Sequence, residues 1–120
     1  MANVFLIDVE ETSAAQISRA LAVERHRIEQ KHGNIGVRDL IHADIVFAGG
    51  EPSQYLSLLR LVREEQPALP FVVVTRVPET TRWLDALEAG ATDYCSSPFE
   101  LREIRWLMES ALLKYRIVPA

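Results

Sequence analysis

This chain has a single cysteine, no long apolar run and no excess of positive charge. Cys95 is the single cysteine among 120 residues, which excludes an internal disulfide and favours a reducing compartment. No apolar run approaches the ~18 residues of a membrane-spanning helix. The formal net charge of -4 offers no basic surface for nucleic acid. We therefore expect a cytoplasmic protein that contacts neither membrane nor nucleic acid directly.

The composition predicts one globular domain over residues 1–120. The apolar fraction is 48% and the charged fraction 25%, both near the averages of globular proteins. A chain of this length buries one core without disulfides or metals. The opening residues, Met1 to Asn3, lead straight into a predicted strand, without the basic region and apolar core of a signal peptide.

Apolar runs of strand length alternate with helical patterns, which is typical of a parallel sheet covered on both faces. The predicted strands are Val4–Ile7, His26–Gln30, Ile45–Ala48, Phe71–Thr75 and Asp93–Ser96. The predicted helices are Thr12–Val23, Val37–Ile41, Ser53–Gln66, Glu79–Ala89 and Phe99–Ile117, with Ser53 as the N-cap of the third. Right-handed crossovers give a flavodoxin-like α/β sandwich of three layers, with strand order 2-1-3-4-5 and five helices.

The carboxyl ends of the predicted strands are where this fold gathers functional loops. Those loops follow Ile7, Ala48, Thr75 and Ser96, so residues distant in sequence are expected to meet at one edge of the sheet.

The segment Ala89 to Phe99 reads Ala-Gly-Ala-Thr-Asp-Tyr-Cys-Ser-Ser-Pro-Phe. It resembles the alanine-glycine-alanine, aspartate-tyrosine and lysine-proline-phenylalanine pattern of response regulator receiver domains (CheY-like). Thr75 ends a strand, as the switch hydroxyl of that family does, and Thr75 and Tyr94 have the spacing of its two switch positions. The acidic residues after the first strand and Ala43-Asp44 before the third add to the resemblance, which covers nearly all of the chain.

The resemblance implies a specific chemistry and shows where this chain departs from it. In the family, an aspartate after the third strand accepts a phosphoryl group and nearby carboxylates hold Mg²⁺, while a lysine and a hydroxyl stabilise charge. Here Gly49 stands at the acceptor position and Ser97 at the lysine position, whereas Thr75 keeps the hydroxyl. Asp8 matches one metal-holding acid, and Glu10 lies just beyond the second, so a metal is not expected.

These substitutions imply an atypical, non-enzymatic receiver without a cofactor or a catalytic residue. Such a domain would act in two-component signalling or transcriptional control through protein contacts. Thr75 then either remains a switch hydroxyl or simply ends its strand, and Tyr94 is either a switch aromatic or fixed in one rotamer. Cys95, inside a short strand, is expected to be a packed small hydrophobe and not a redox sensor.

Alternative roles remain for the acidic residues near the predicted site. Glu51 would be a displaced acceptor in an active phosphotransfer receiver, although its longer side chain misplaces the attacking oxygen. Glu51 or Asp8 would instead pair with Arg76 and fix one switch state, or Glu51 would point into water. A flavodoxin-like ligand binder is disfavoured because the acidic loop after the first strand repels phosphate.

The last two helices predict an interaction surface. On a helical wheel Trp106 points away from Leu101, Ile104 and Met108, which form part of a buried stripe with Ala111, Leu112 and Tyr115. An outward tryptophan is typical of an interface, or is a single exposed aromatic. Trp83 is predicted to pack near the site loops, either filling a pocket or as a core aromatic.

The resemblance places a partner surface on the face made by the fourth helix, fifth strand and fifth helix. Its members here are Arg82, Asp85, Tyr94, Arg102 and Trp106. The expected partner is another protein, an output domain beyond Ala120, or a second copy of this chain.

Overall fold

The computed structural model describes residues 2–22, 25–33, 35–76, 80–96 and 99–117. The described residues contain a five-stranded parallel sheet in the order 2-1-3-4-5, as the sequence predicted. The strands are β1 (Asn3–Ile7), β2 (Arg27–Lys31), β3 (Ile45–Ala48), β4 (Phe71–Thr75) and β5 (Asp93–Ser96). β1, β3 and β4 lie inside the sheet, and β2 and β5 form its edges.

The prediction of five α-helices was wrong for the described part of the chain, which has four. They are α1 (Glu11–Ala22), α2 (Pro52–Glu65), α3 (Thr80–Glu88) and α4 (Leu101–Ile117). The connection from β2 to β3 forms a single 3-10 turn, Val37–Leu40. Glycines precede this turn and β3 follows it closely, so the segment is too short for a stable α-helix. Leu40 is buried and fixes the turn against the core.

The start of α2 also differs from the prediction, because its N-cap is Glu51 and not Ser53. Pro52 occupies the first turn, where its fixed φ suits a helix and its missing N–H is no loss. The Glu51 N–H donates to Gln54 Oε1 at 3.4 Å. Glu51 is thereby held at the junction of β3 and α2.

Two separate cores cover the two faces of the sheet, since alternate residues of each strand point to opposite sides. One core lies under α1 and α4 and includes Leu6, Phe47, Ile17, Ile104 and Met108. The other lies under α2, α3 and the 3-10 turn and includes Ile7, Val73, Leu59, Val62 and Ala86. The edge strand β5 is therefore flanked by α3 on one face and α4 on the other.

The predicted buried stripe of α4 is confirmed for Ile104, Met108 and Ala111 but was wrong for Leu101. Leu101 is 51% exposed because it is the first residue of the helix, while Phe99 just before it is buried in its place. The side chains of Leu112 and Tyr115 lie outside the described residues. Within the described residues, no helix has the length and apolar character needed to cross a bilayer.

Candidate functional site

The carboxyl ends of β1, β3 and β4 surround a cleft of about 310 Å³. The sheet topology therefore brings together Gly49 and Thr75 with the acidic residues after β1, as the sequence predicted. The charged residues lining the cleft are Asp8, Glu10, Glu51, Arg76 and Arg82. Ser97, the other residue predicted for this site, lies outside the described residues.

Gly49 directly follows β3 and is buried where three strands converge. Its N–H donates to Ile7 O at 2.9 Å. A Cβ built on Gly49 would stand 2.9 Å from Asp8 O and 3.3 Å from Val74 O. Because both neighbours are backbone atoms, a side chain here requires β1 or β4 to move. Gly49 has no side chain, and this close approach leaves little room for one at the end of β3.

The Asp8 carboxylate is turned toward the loop after β2. Its backbone φ is 50°, an uncommon value for a residue other than glycine. Asp8 Oδ1 accepts a hydrogen bond from the Gly33 N–H at 3.1 Å and lies 3.5 Å from His32 Nδ1. This carboxylate therefore already has partners within the chain.

Glu10 forms an ion pair with Arg76 across the cleft, with 2.8 Å between Glu10 Oε2 and Arg76 Nε. Glu10 Oε2 is inaccessible to solvent and accepts no well-aligned hydrogen bond among the described residues, so the contact is mainly electrostatic. The hypothesis that Arg76 pairs with Glu51 or Asp8 was wrong. Glu51 is exposed, in agreement with the alternative that it points into water.

The Mg²⁺ that the resemblance implies for this family does not fit these donors. Mg²⁺ requires oxygen ligands in near-octahedral geometry, commonly one or two carboxylates with water and phosphate. Gly49 offers no carboxylate, Asp8 binds Gly33, and Glu10 is paired with Arg76. In the described part of the chain, no cluster of three or more His, Cys, Asp or Glu side chains is arranged to hold a metal ion.

The two predicted switch residues lie on neighbouring strands. Thr75 ends β4 opposite Ser96, and Tyr94 lies opposite Val73. The half-buried Tyr94 packs against the core under α2 and α3. Its hydroxyl is buried and has no hydrogen-bond partner among the described residues. Tyr94 is thus turned inward, which removes it from the outer surface in this conformation.

Cys95 is a packed apolar residue, as predicted. It lies in the core under α1 and α4. Burial, with smaller contributions from Glu103 and Asp93, raises the pKa of the Cys95 thiol to about 12. The thiol is therefore protonated at neutral pH, which makes it a poor nucleophile.

The predicted interaction face is only partly on the outer surface. Trp106 is 60% exposed, and Asp85 and Arg102 are exposed beside it on α3 and α4. Arg82 instead lines the cleft. Three of the residues predicted for the interaction face are therefore exposed on α3 and α4, while Arg82 belongs to the cleft and Tyr94 is turned inward.

The two roles predicted for Trp83, filling a pocket or acting as a core aromatic, were wrong, because the residue is 43% exposed. On the short helix α3, Ala86 supplies the fully buried contact. Leu84 and Leu87 are exposed with Trp83. The outer side of α3 is consequently more apolar than the sequence analysis recognised.

Arg63 is a structural residue that the sequence analysis missed. Its guanidinium donates to the backbone carbonyls of Gly90 and Leu69, both at 2.7 Å, and more weakly to Pro67 O at 3.3 Å. Burial lowers the pKa of this guanidinium. A sequence signal existed, since Arg63 lies four residues after the buried Leu59, on the core-facing side of α2. Arg63 connects α2 to the loops before β4 and β5.

Comparisons with known proteins agree with this fold. NtrC, a DNA-binding transcriptional regulator of Proteus hauseri, is 36% identical over 61 residues, which is 51% of this chain and 13% of that protein. A response regulator receiver domain protein from Clostridium thermocellum superposes with a TM-score of 0.80 at 15% identity, covering 99% of this chain and 100% of that one. In fold, this chain is similar to response regulator receiver domains. The NtrC4 receiver domain dimer, activated by beryllofluoride, gives a TM-score of 0.78 at 17% identity, covering 96% of this chain and 99% of that chain.

No protein-family model matches the chain. The chain spans 13% of the length of the Proteus NtrC and 25% of the regulatory protein AtoC of Escherichia coli, to which it is 25% identical over 115 residues.

Proposed function

We propose that this receiver-type domain signals by protein contact and is not phosphorylated at the position usual for its family. The observation that carries the proposal is the backbone approach at Gly49, where a Cβ would lie 2.9 Å from Asp8 O. The backbones of β1 and β4 pack so closely against Gly49 that a side chain there would clash with them. The domain would then act without catalysis or a cofactor, in the cytoplasm, as a module of two-component signalling or transcriptional control.

Glu51 carries the alternative function, an active phosphotransfer receiver with a displaced acceptor. It is an exposed carboxylate that lines the same cleft as Thr75. Glu51 is the N-cap of α2 and lies two residues after Gly49 in the sequence. The attack geometry of the family is not reproduced by this longer, displaced side chain.

Beryllofluoride with Mg²⁺, which imitates a phosphoryl group, separates these two functions in an NMR titration of backbone amides. We expect no saturable shifts in the wild type or in Glu51→Gln. Saturable shifts at Gly50 and Thr75 in the wild type that disappear in Glu51→Gln would support the alternative and overturn the proposal. Shifts that persist in Glu51→Gln would also overturn it, because they would reveal another acceptor.

The contact surface we propose is the face formed by α3, β5 and α4, with a second copy of this chain as its partner. The large apolar side chains exposed on these two helices are Trp83, Leu84, Leu87, Leu101 and Trp106. Exposed aromatics of this kind are enriched at the centres of interfaces. The similarity to the NtrC4 receiver domain dimer supports this choice. An output domain is the alternative occupant.

Multi-angle light scattering across a concentration series tests the surface. We expect the wild type to show a concentration-dependent rise in mass, and Trp106→Ala to weaken association by about ten-fold or more, as for a buried aromatic at an interface. Leu61→Ala is the matched control, because Leu61 is an exposed apolar residue on α2, away from the proposed face. A monomer at all concentrations, or equal effects of the two variants, would contradict the assignment.

A further inference from the structure

We infer that Arg76 is a built-in cation that takes the place of a divalent ion at this cleft and joins the loop after β4 to the loop after β1. Arg76 Nε lies 2.8 Å from Glu10 Oε2. Arg76 directly follows Thr75 at the end of β4, and Glu10 precedes α1. The pair therefore bridges two loops that the sheet alone does not connect.

One oxygen of the Glu10 carboxylate is shielded from water, although 34% of the side chain remains exposed. This oxygen, Oε2, accepts no well-aligned hydrogen bond among the described residues. A nearby positive charge stabilises a carboxylate oxygen that has lost its contact with water. Arg76 supplies that charge while 70% of its side chain remains in solvent. An exposed pair alone stabilises little, so the buried Glu10 oxygen is what gives the contact its importance.

Arg76 also opposes the entry of a metal ion. A divalent cation bound by Glu10 would lie next to the guanidinium, and like charges at such short range repel each other strongly in a partly buried cleft. The second carboxylate, Asp8, is held by the Gly33 N–H. Three carboxylates and two guanidinium groups line the cleft, so most of its negative charge is balanced internally.

This inference does not depend on the proposed function. The absence of an acceptor at the end of β3 does not by itself exclude a divalent ion, because Asp8 and Glu10 still line the cleft. Conversely, a domain with an internal cation could still exchange a phosphoryl group elsewhere. Metal binding, measured directly, therefore tests the role of Arg76 alone.

Mn²⁺ is a suitable probe because the paramagnetic resonance signal of the free aqueous ion is lost on binding. We expect no saturable Mn²⁺ binding by the wild type. In Arg76→Ala we expect a saturable site whose affinity for Mn²⁺ is at least about ten-fold higher than the upper limit set by the wild-type titration. Arg60→Ala is the matched control: it removes the same charge from an exposed position on α2 and is expected to behave as the wild type. Arg76→Lys keeps the charge and is expected to exclude Mn²⁺ still.

Two further measurements complete the test. In Arg76→Ala/Glu10→Gln the gained site is expected to disappear, since the freed carboxylate is gone. Amide hydrogen exchange near Glu10 and Thr75 is expected to be faster in Arg76→Ala than in Arg60→Ala, even if no metal binds. Saturable Mn²⁺ binding by the wild type would overturn the inference. Absence of a new Mn²⁺ site in Arg76→Ala would overturn the role as a replacement for the metal ion, and unchanged exchange would overturn the role in joining the two loops.

Discussion

At the residue scale, the cleft depends on which atoms each side chain can place there. Gly49 permits the backbones of β1, β3 and β4 to converge because it has no Cβ. Cys95 and Tyr94 are adjacent in β5 and point to opposite faces of the sheet. Cys95 is buried and Tyr94 is half-buried. Two of these residues give direct tests of the packing.

Gly49→Ala tests the close approach at the end of β3. The added Cβ would lie 2.9 Å from Asp8 O, so we expect a loss of about 1–3 kcal/mol in the free energy of unfolding, as for overpacked cores. Urea denaturation measures this loss. Gly36→Ala is the control, because the nearest atom to its Cβ is Asp39 Oδ2 at 3.8 Å and its φ is -101°. Equal stability of the two variants would show that Gly49 has room for a side chain.

Cys95 predicts a pH dependence whose sign follows from its raised pKa. The folded thiol has a pKa of about 12, whereas the unfolded thiol titrates near ~8.5. Stability is therefore unaffected below the unfolded pKa and falls as the pH rises from that value toward 12, because only the unfolded chain releases the proton. Between pH 8.5 and 10 we expect the wild type to lose about 1–2 kcal/mol more than Cys95→Ala in urea denaturation. Parallel pH profiles would contradict this.

At the element scale, β3 and β4 were predictable because they are uninterrupted apolar runs that are buried on both faces. β5 also has the predicted boundaries, although three of its four residues are only half-buried. The 3-10 turn before β3 was not predictable from its apolar residues, because the periodicity of a short segment does not distinguish it from an α-helix. Leu101 was assigned to the core because its spacing fits the buried stripe, but its place at the helix end exposes it.

The site was predictable in its location but not in its contacts. Sheet topology alone brings Asp8, Gly49 and Thr75 to one edge. The pairing of Glu10 with Arg76 depends on side-chain rotamers, and the orientation of Asp8 depends on its positive φ. Neither can be read from spacing.

Arg63 yields a prediction for the connection between elements. Arg63→Ala removes donors to the carbonyls of Gly90 and Leu69, and we expect a loss of about 2–4 kcal/mol in the free energy of unfolding because charged donors to partly buried carbonyls are lost. Arg63→Lys is expected to recover only part of this, since an ammonium cannot reproduce the planar fork. Arg60→Ala, on the exposed side of the same helix, is expected to change stability by less than about 0.5 kcal/mol. Comparable losses at positions 60 and 63 would contradict the role of Arg63.

At the scale of the whole molecule, α3 carries residues of both the cleft and the proposed contact surface. The cleft lies at the carboxyl edge of the sheet, and the exposed apolar residues of α3 and α4 flank the edge strand. Arg82 on α3 lines the cleft while Asp85 on the same helix is exposed. The cleft and the proposed contact surface therefore share the short helix α3.

Signalling by contact without phosphorylation is tested most directly by the intact mass of the protein after incubation with acetyl phosphate and Mg²⁺. The control is a receiver domain that has an aspartate after its third strand. We predict that the control protein gains the mass of one phosphoryl group and that this protein gains none at any time point. A phosphoryl adduct on this chain, located by fragmentation to a residue of the cleft, would contradict signalling by contact alone.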